Sequence, residues 1–440
     1  MTDDRPADRP RRRPAAARLT RAEWSLLLIL VAIQFTHMVD FVIIMPLGDR
    51  LRKELKITKE EFGAVVAAYA LAAGVASLLA SSVMDRFDRK SVLLTMYAGF
   101  GLSTLFCGLA TTYELLLVSR TLAGAFGGLA AVALMAVIGD VFPPEKRGRA
   151  SGAVVSSFAA ASILGLPVGL YLTPIYGRGM PFIVLAVVSA VVWIVAVFLL
   201  PPVRGHLAAP RRHPVAEFAA VVRQPNHLWG FAFTFFLVLG TFTVASFLAP
   251  VYSSVNGWDE HQLAVVYMVG GAFTLLGTNL IGRMADRVPR LGLFRVLGGG
   301  AIVMALIVTC FPAVPLWAAA LGLSGFMVFA AGRMVPAQAM LLGVSGPATR
   351  GAFMSLNTAV QHLATGLAPM IAGVILVETP DKKLEHFWAV GLFAAATAGV
   401  SLVLAGRLKA VSQAMPAVVV PAVPPEQGLA TTVAEPVGAA

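Results

Sequence analysis

The chain has 440 residues, of which 58% are hydrophobic and only 13% charged, and its mean hydropathy is +0.80. A soluble domain carries about 25% charged residues, so this composition excludes an ordinary soluble enzyme or binding module and reads as a polytopic membrane protein. The net charge of +11 falls in short segments between apolar stretches, where it sets topology and gives no reason to expect a nucleic-acid partner.

The first 21 residues are rich in Arg and Pro and lack an apolar leader core, so they read as a disordered cytoplasmic tail without a cleavable signal. The Arg11-Arg12-Arg13 run is followed by no signal-like segment. Span 1 then runs from Trp24 to Leu47. At about 1.5 Å rise per residue it is long enough to cross a hydrocarbon core of roughly 30 Å. It carries Asp40 well inside, with His37 one turn earlier. An aspartate at membrane depth costs on the order of 2.5–3.5 kcal/mol on insertion scales, so a chain that keeps one pairs it, wets it or uses it to carry a proton.

Further spans are expected at Phe62–Ser82, Ser91–Ala110, Tyr113–Ile138, Ser151–Tyr171 and Pro181–Leu200. A polar connector, Pro201–Asn226, interrupts the pattern and includes an amphipathic piece at Val215–Val222. Six more spans follow at Leu228–Val251, Gln262–Gly282, Leu293–Phe311, Pro315–Val335, Phe353–Val377 and Phe387–Leu408. The fold class expected is thus all-α, with twelve transmembrane helices in two pseudo-symmetric six-helix bundles. The domain division is a tail at 1–21, a bundle at 22–200, a cytoplasmic connector at 201–226, a second bundle at 227–408 and a disordered tail at 409–440. Of the 34 Lys and Arg residues, 24 fall on the side of the N-terminus, 8 on the other side and 2 inside spans, which puts both termini in the cytoplasm. Cys107 and Cys310 lie within apolar spans, so no disulfide framework is expected.

The halves repeat. Met84-Asp85-Arg86-Phe87-Asp88-Arg89-Lys90 follows span 2, and Met284-Ala285-Asp286-Arg287-Val288-Pro289-Arg290 follows span 8, with the aspartates 201 residues apart. Pro144-Glu145-Lys146-Arg147-Gly148 is matched by Pro347-Ala348-Thr349-Arg350-Gly351, with the arginines 203 apart. A repeat of six spans is the signature of a two-lobed transporter with its site between the lobes.

On these residues the chain resembles the major facilitator superfamily, over roughly 22–408, and within it the twelve-helix drug and sugar proton antiporters. Residues 81–90 resemble the family's G-x-x-x-D-R-x-G-R-K/R signature between helices 2 and 3, with Ser81 and Asp88 in place of its glycines. Arg120 followed by Gly124 resembles the helix-4 R-x-x-x-G motif of proton-coupled members, and Asp40 followed by Pro46 resembles their helix-1 pattern. Gly165-Leu-Pro167-Val-Gly169 resembles the antiporter glycine/proline motif in its short form.

The resemblance implies roles that stand beside plainer ones. Asp40 and Arg120 lie at matching depth; they serve proton coupling, with Arg120 tuning Asp40, or else form a fixed ion pair. His37, on the same face as Asp40, relays protons or is a hydrogen-bond partner fixing the Asp40 rotamer. Asp85, Arg86, Arg89 and Lys90, with Asp286, Arg287 and Arg290, form a cytoplasmic gate or merely anchor topology. Gly165, Pro167 and Gly169 bend span 5 or only allow close packing, with Gly366, Pro369 and Gly373 as counterparts in span 11. Asn357 and Gln361, four apart on one helix face, line a substrate cavity or bond between helices. Arg333 reads as a snorkelling residue near the cytoplasmic end of span 10.

The reading that results is a secondary active transporter of the cell inner (plasma) membrane, working by alternating access. It is a proton-coupled exporter (antiporter) of small molecules such as drugs or sugars, expected as a monomer, with protons, a small-molecule substrate and the lipid bilayer as partners. Alternatives are a proton-coupled importer or uniporter of a sugar or metabolite, and a non-transporting receptor on the same fold. No nucleotide, hydrolase or zinc motif is present in the sequence, so neither an enzyme nor a cofactor or metal is expected.

Overall fold

The computed structural model describes residues 19–83, 86–204, 214–285, 287–346, 349–381 and 383–410. In hydrocarbon each backbone N–H and C=O must be satisfied within the chain, so apolar stretches of this length become helices. Among the described residues, twelve are long and apolar enough to cross a membrane. Spans 1 to 4 are Arg21–Ile43, Lys59–Val83, Arg89–Leu109 and Tyr113–Val141. Span 5 is built from Pro144–Val155, Ser157–Ala160, a π turn Ala161–Gly165 and Leu166–Tyr176; span 6 is Met180–Leu199. Spans 7 to 9 are Pro225–Asn256, Glu260–Ala285 and Arg290–Cys310. Span 10 is Leu316–Gly332 continued by Met334–Val344, span 11 is Arg350–Ile375 and span 12 is Phe387–Ala405.

Local chemistry sets the ends. Thr20 and Glu23 close a reciprocal capping box on span 1, and Thr112 caps span 4. Span 1 stops at Ile43 and does not reach Leu47 as expected. Pro46 has no N–H for the Val42 carbonyl, which is taken by Met45 N–H instead. A short helix, Gly48–Leu55, follows and packs against spans 7 and 2. Span 7 runs past its expected limits at both ends, because polar residues such as Ser253 and Asn256 continue a helix once it leaves hydrocarbon. Span 10, expected to be one helix, is interrupted at Arg333: Pro336 cannot bond the Gly332 carbonyl. A two-residue hairpin, Val377–Glu378 against Leu384–Glu385, joins spans 11 and 12. The amphipathic piece of the connector falls within a helix at Pro214–Val222.

Helix pairings show the pseudo-symmetry. Spans 1–6, 2–4, 3–4 and 3–6 pack in the first bundle, and 7–12, 8–10, 9–10 and 9–12 in the second. The bundles meet through span 2 on span 11 and span 5 on span 8, which are again related pairs. The span 2–span 11 seam is closely packed at the face opposite the connector. Gly373 of span 11 backs onto the Lys59 carbonyl, Gly63 onto that of Pro369 and Gly366 onto Leu71. On the other seam Gly271 fits against the backbone of Ser162 and Ile163. On that same face Arg50 pairs with Glu260 at 3.0 Å and Arg52 with Glu378 at 2.6 Å, each bond crossing from one bundle to the other.

Candidate proton-coupling site

Asp40 is carried into the first bundle by span 1 and is wholly buried. Arg120, from span 4, is equally buried, and its Nη1 donates both to Asp40 Oδ2 at 2.9 Å and to the Asp40 carbonyl at 3.1 Å. Thr104 of span 3 donates its hydroxyl to Asp40 Oδ1 at 3.3 Å. The guanidinium carbon lies 4.3 Å from the centre of the Tyr69 ring of span 2. Four helices therefore meet on one charge pair.

The sequence explains why they can approach so closely. A Cβ at Gly124 would sit 2.1 Å from the Tyr69 carbonyl oxygen, and one at Gly128 would sit 2.8 Å from Ala73 Cα. The glycine of the R-x-x-x-G motif thus lets span 4 touch the span 2 backbone, which sets Tyr69 against Arg120. The pair is sparsely satisfied: Arg120 Nε and Nη2 and the Tyr69 hydroxyl are buried without a hydrogen-bond partner among the described residues. A buried ion pair offsets its desolvation only with good geometry and further bonds, so its presence is weak evidence for stability.

His37 shares the face of Asp40 but does not bond to it. Its ring packs against Tyr69 and Phe100, with centroids 6.0 and 5.8 Å away, and both ring nitrogens lack a hydrogen-bond partner among the described residues. Gly127 leaves the space for the imidazole, since a Cβ there would lie 2.7 Å from its Cδ2. The expectation that His37 fixes the Asp40 rotamer by a hydrogen bond is therefore corrected: Thr104 and Arg120 hold the carboxylate. Sequence reasoning missed Thr104 and Tyr69, which sit on other helices with no periodic mark.

The expected helix-bending motif falls where span 5 touches its neighbours. Pro167 has no N–H, and just before it Leu166 N–H reaches back to the Ala161 carbonyl, making the π turn. Gly165 and Gly169 face Val39 and Ile43 of span 1, on either side of Asp40.

Of the expected gate, Asp85 and Asp286 lie outside the described residues. Arg86 and Arg287 are exposed. Arg89 Nε pairs with Asp140 at 3.1 Å, Lys90 Nζ donates to the Val197 carbonyl at 2.8 Å and Arg290 Nη1 to that of Ala339 at 3.2 Å. Asp88, which replaces a signature glycine, caps span 3. It accepts the N–H groups of Lys90 and Val203 and a bond from Arg204 Nε. Burial pushes its carboxyl up, but these donors together bring it below the ordinary value.

In the second bundle, Asn357 Oδ1 accepts the Thr234 hydroxyl at 2.7 Å, joining spans 11 and 7, while Gln361 is half-buried beside it. Arg333 does not snorkel. It is 3% exposed, and Nη2 donates to Thr241 Oγ1 at 2.6 Å and the Leu237 carbonyl at 3.2 Å. The break in span 10 turns the side chain inward toward span 7, so the sequence expectation is corrected.

Residues 30–369 match the model of the Major Facilitator Superfamily. The MFS-type transporter YceJ of Bacillus subtilis is 26% identical over 366 residues, covering 83% of this chain and 91% of that protein. A chloramphenicol resistance protein of Streptomyces lividans is 26% identical over 353 residues, covering 78% and 87%. The crystal structure of the nucleoside transporter NupG superposes with a TM-score of 0.71 at 15% identity, covering 87% of this chain and 99% of that one. With twelve apolar spans in paired bundles and a family match over most of its length, this multi-pass membrane protein belongs to the Major Facilitator Superfamily of transporters.

Proposed function

We propose that the protein is a proton-coupled exporter of small molecules in the cell inner membrane, with both termini in the cytoplasm, working by alternating access. The observation that carries this reading is the Asp40–Arg120 pair, a carboxylate and a guanidinium both 0% exposed at membrane depth. Protonating Asp40 removes its charge and weakens the bond to Arg120, and releasing the proton restores it. A group that gains and loses a strong partner in this way can bias two arrangements of the bundles. His37, one turn away and with neither nitrogen hydrogen-bonded among the described residues, is the proton relay in this scheme. The name of the chloramphenicol resistance relative supports export. The positive-inside balance makes the connector face cytoplasmic, so the arrangement described is closed outward. Gly165, Pro167 and Gly169 then form the bend between bundles, the charged turns at 85–90 and 286–290 the cytoplasmic gate, and Asn357 and Gln361 the second-bundle wall of the path.

The test is drug or dye accumulation in everted vesicles, with and without a protonophore. Wild-type protein accumulates substrate only while the proton gradient lasts, and Asp40→Asn does not. Gradient-driven transport undiminished in Asp40→Asn would overturn the coupling role. Substrate moving inward with protons in right-side-out vesicles would replace export by import.

A further inference from the structure

The second bundle holds a cation that nothing in its own spans neutralises. Arg333 is buried, and its Nη2 bonds are both to neutral oxygens, Thr241 Oγ1 and the Leu237 carbonyl. Nε and Nη1, which together carry three N–H donors, have no partner among the described residues. Past Glu260 at the mouth of span 8, spans 7 to 12 contain no Asp or Glu. A buried cation without a counter-ion is strongly disfavoured, so its retention needs a reason.

Its position supplies one. Thr241 stands 201 residues after Asp40, the same offset that relates Asp85 to Asp286. In the first bundle an arginine from span 4 meets a carboxylate on span 1. At the repeated place an arginine from span 10 meets no carboxylate, but the Thr241 hydroxyl and the Leu237 carbonyl of span 7. Arg333 is not the repeat of Arg120, a place taken by Leu323 at the 203-residue offset; it reaches this corner from further along, where span 10 is interrupted. Phe242, next to Thr241, has its ring 5.7 Å from Phe41 of span 1, so the corner borders the seam between the bundles. Arg333 lies midway along span 10, and transporters built from repeated halves place their substrate sites near the membrane midplane where the repeats meet.

We propose that Arg333 and Thr241 form an anion-recognition point on the substrate path, and that the substrate class is a small amphipathic organic monoanion whose carboxylate supplies the charge that Thr241 lacks. The free N–H groups of Arg333 give charge-assisted bonds to such a group. The inference rests on the transporter reading above only in taking the seam as the path; it depends neither on Asp40 nor on the direction of transport.

The experiment measures binding to the purified full-length protein in lipid nanodiscs. Benzoate, salicylate and 1-naphthoate are each titrated against their primary amides. At least one carboxylate is expected to bind about tenfold or more tighter than its amide. Arg333→Gln removes the preference. Thr241→Asp, which installs an internal counter-ion, removes it too and raises the melting temperature of the ligand-free protein; it carries the test should Arg333→Gln fail to fold. No carboxylate preferred over its amide in the wild type, or a preference that survives in either variant, would overturn the proposal. Failure of the coupling scheme is read separately, as transport by Asp40→Asn with carboxylate binding intact.

Discussion

In the first bundle the guanidinium of Arg120 meets a carboxylate on span 1; in the second that of Arg333 meets a hydroxyl on span 7. Both arginines are buried, both use one terminal nitrogen for two bonds, and both leave Nε and the other terminal nitrogen unpartnered among the described residues. Two things differ: the repeated positions Asp40 and Thr241 carry different residue types, and the arginine comes from a different place on its helix, with Leu323 standing where Arg120 repeats. Together they make the first site electrically self-contained, with a charge that a proton can cancel, and leave the second dependent on something from outside the spans.

The largest effect expected on this contrast comes from Arg120→Met. It strands the Asp40 carboxylate in a dry site, at a cost of about 3–5 kcal/mol, whereas Asp40→Asn combined with Arg120→Gln recovers most of the loss. Denaturant or thermal unfolding in detergent reads both, and an equal loss in the single and double variants would show that the pair does not act as a unit. Next is Gly124→Ala, which drives a methyl into the Tyr69 carbonyl and separates spans 2 and 4. Overpacking of this kind costs about 1–3 kcal/mol, and loss of the Arg120–Tyr69 contact should accompany it. Arg333→Met, by contrast, strands no anion: it loses two hydrogen bonds of about 1 kcal/mol each and relieves a buried charge, so the net change in the same unfolding assay should be well below that of Arg120→Met.

Smaller effects lie at the two faces. Arg52→Gln breaks the bond to Glu378 across the bundles and should cost about 0.2–1 kcal/mol. Its clearer sign is increased labelling of a cysteine placed in the seam from the face opposite the connector, an increase that high salt produces in the wild type too. The smallest is at Asp88. Because its folded carboxyl lies below the ordinary value, its contribution is full above the unfolded pKa and fades as pH falls through the folded one. Acid should therefore release the segment around Val203, read as protease cleavage near Arg204, and Asp88→Asn should show that release already at neutral pH.

Much of the architecture was legible because hydrocarbon permits so little. A run such as Trp24–Ile43 must be helical whatever surrounds it, and twelve such runs with a 201-residue repeat leave few arrangements. Even Asp40 and Arg120 could be paired by depth alone, since each counts a known number of residues from the same membrane face. Depth along an axis is a one-dimensional quantity, and a linear sequence encodes it directly. Rotation about that axis and the neighbours across a helix seam are not encoded in this way. They follow from which glycines admit which backbones and where a proline releases a carbonyl. That is why the turning of His37 away from Asp40, the arrival of Thr104 and Tyr69 at the charge pair, and the inward reach of Arg333 at the break before Pro336 were decided only by packing in three dimensions.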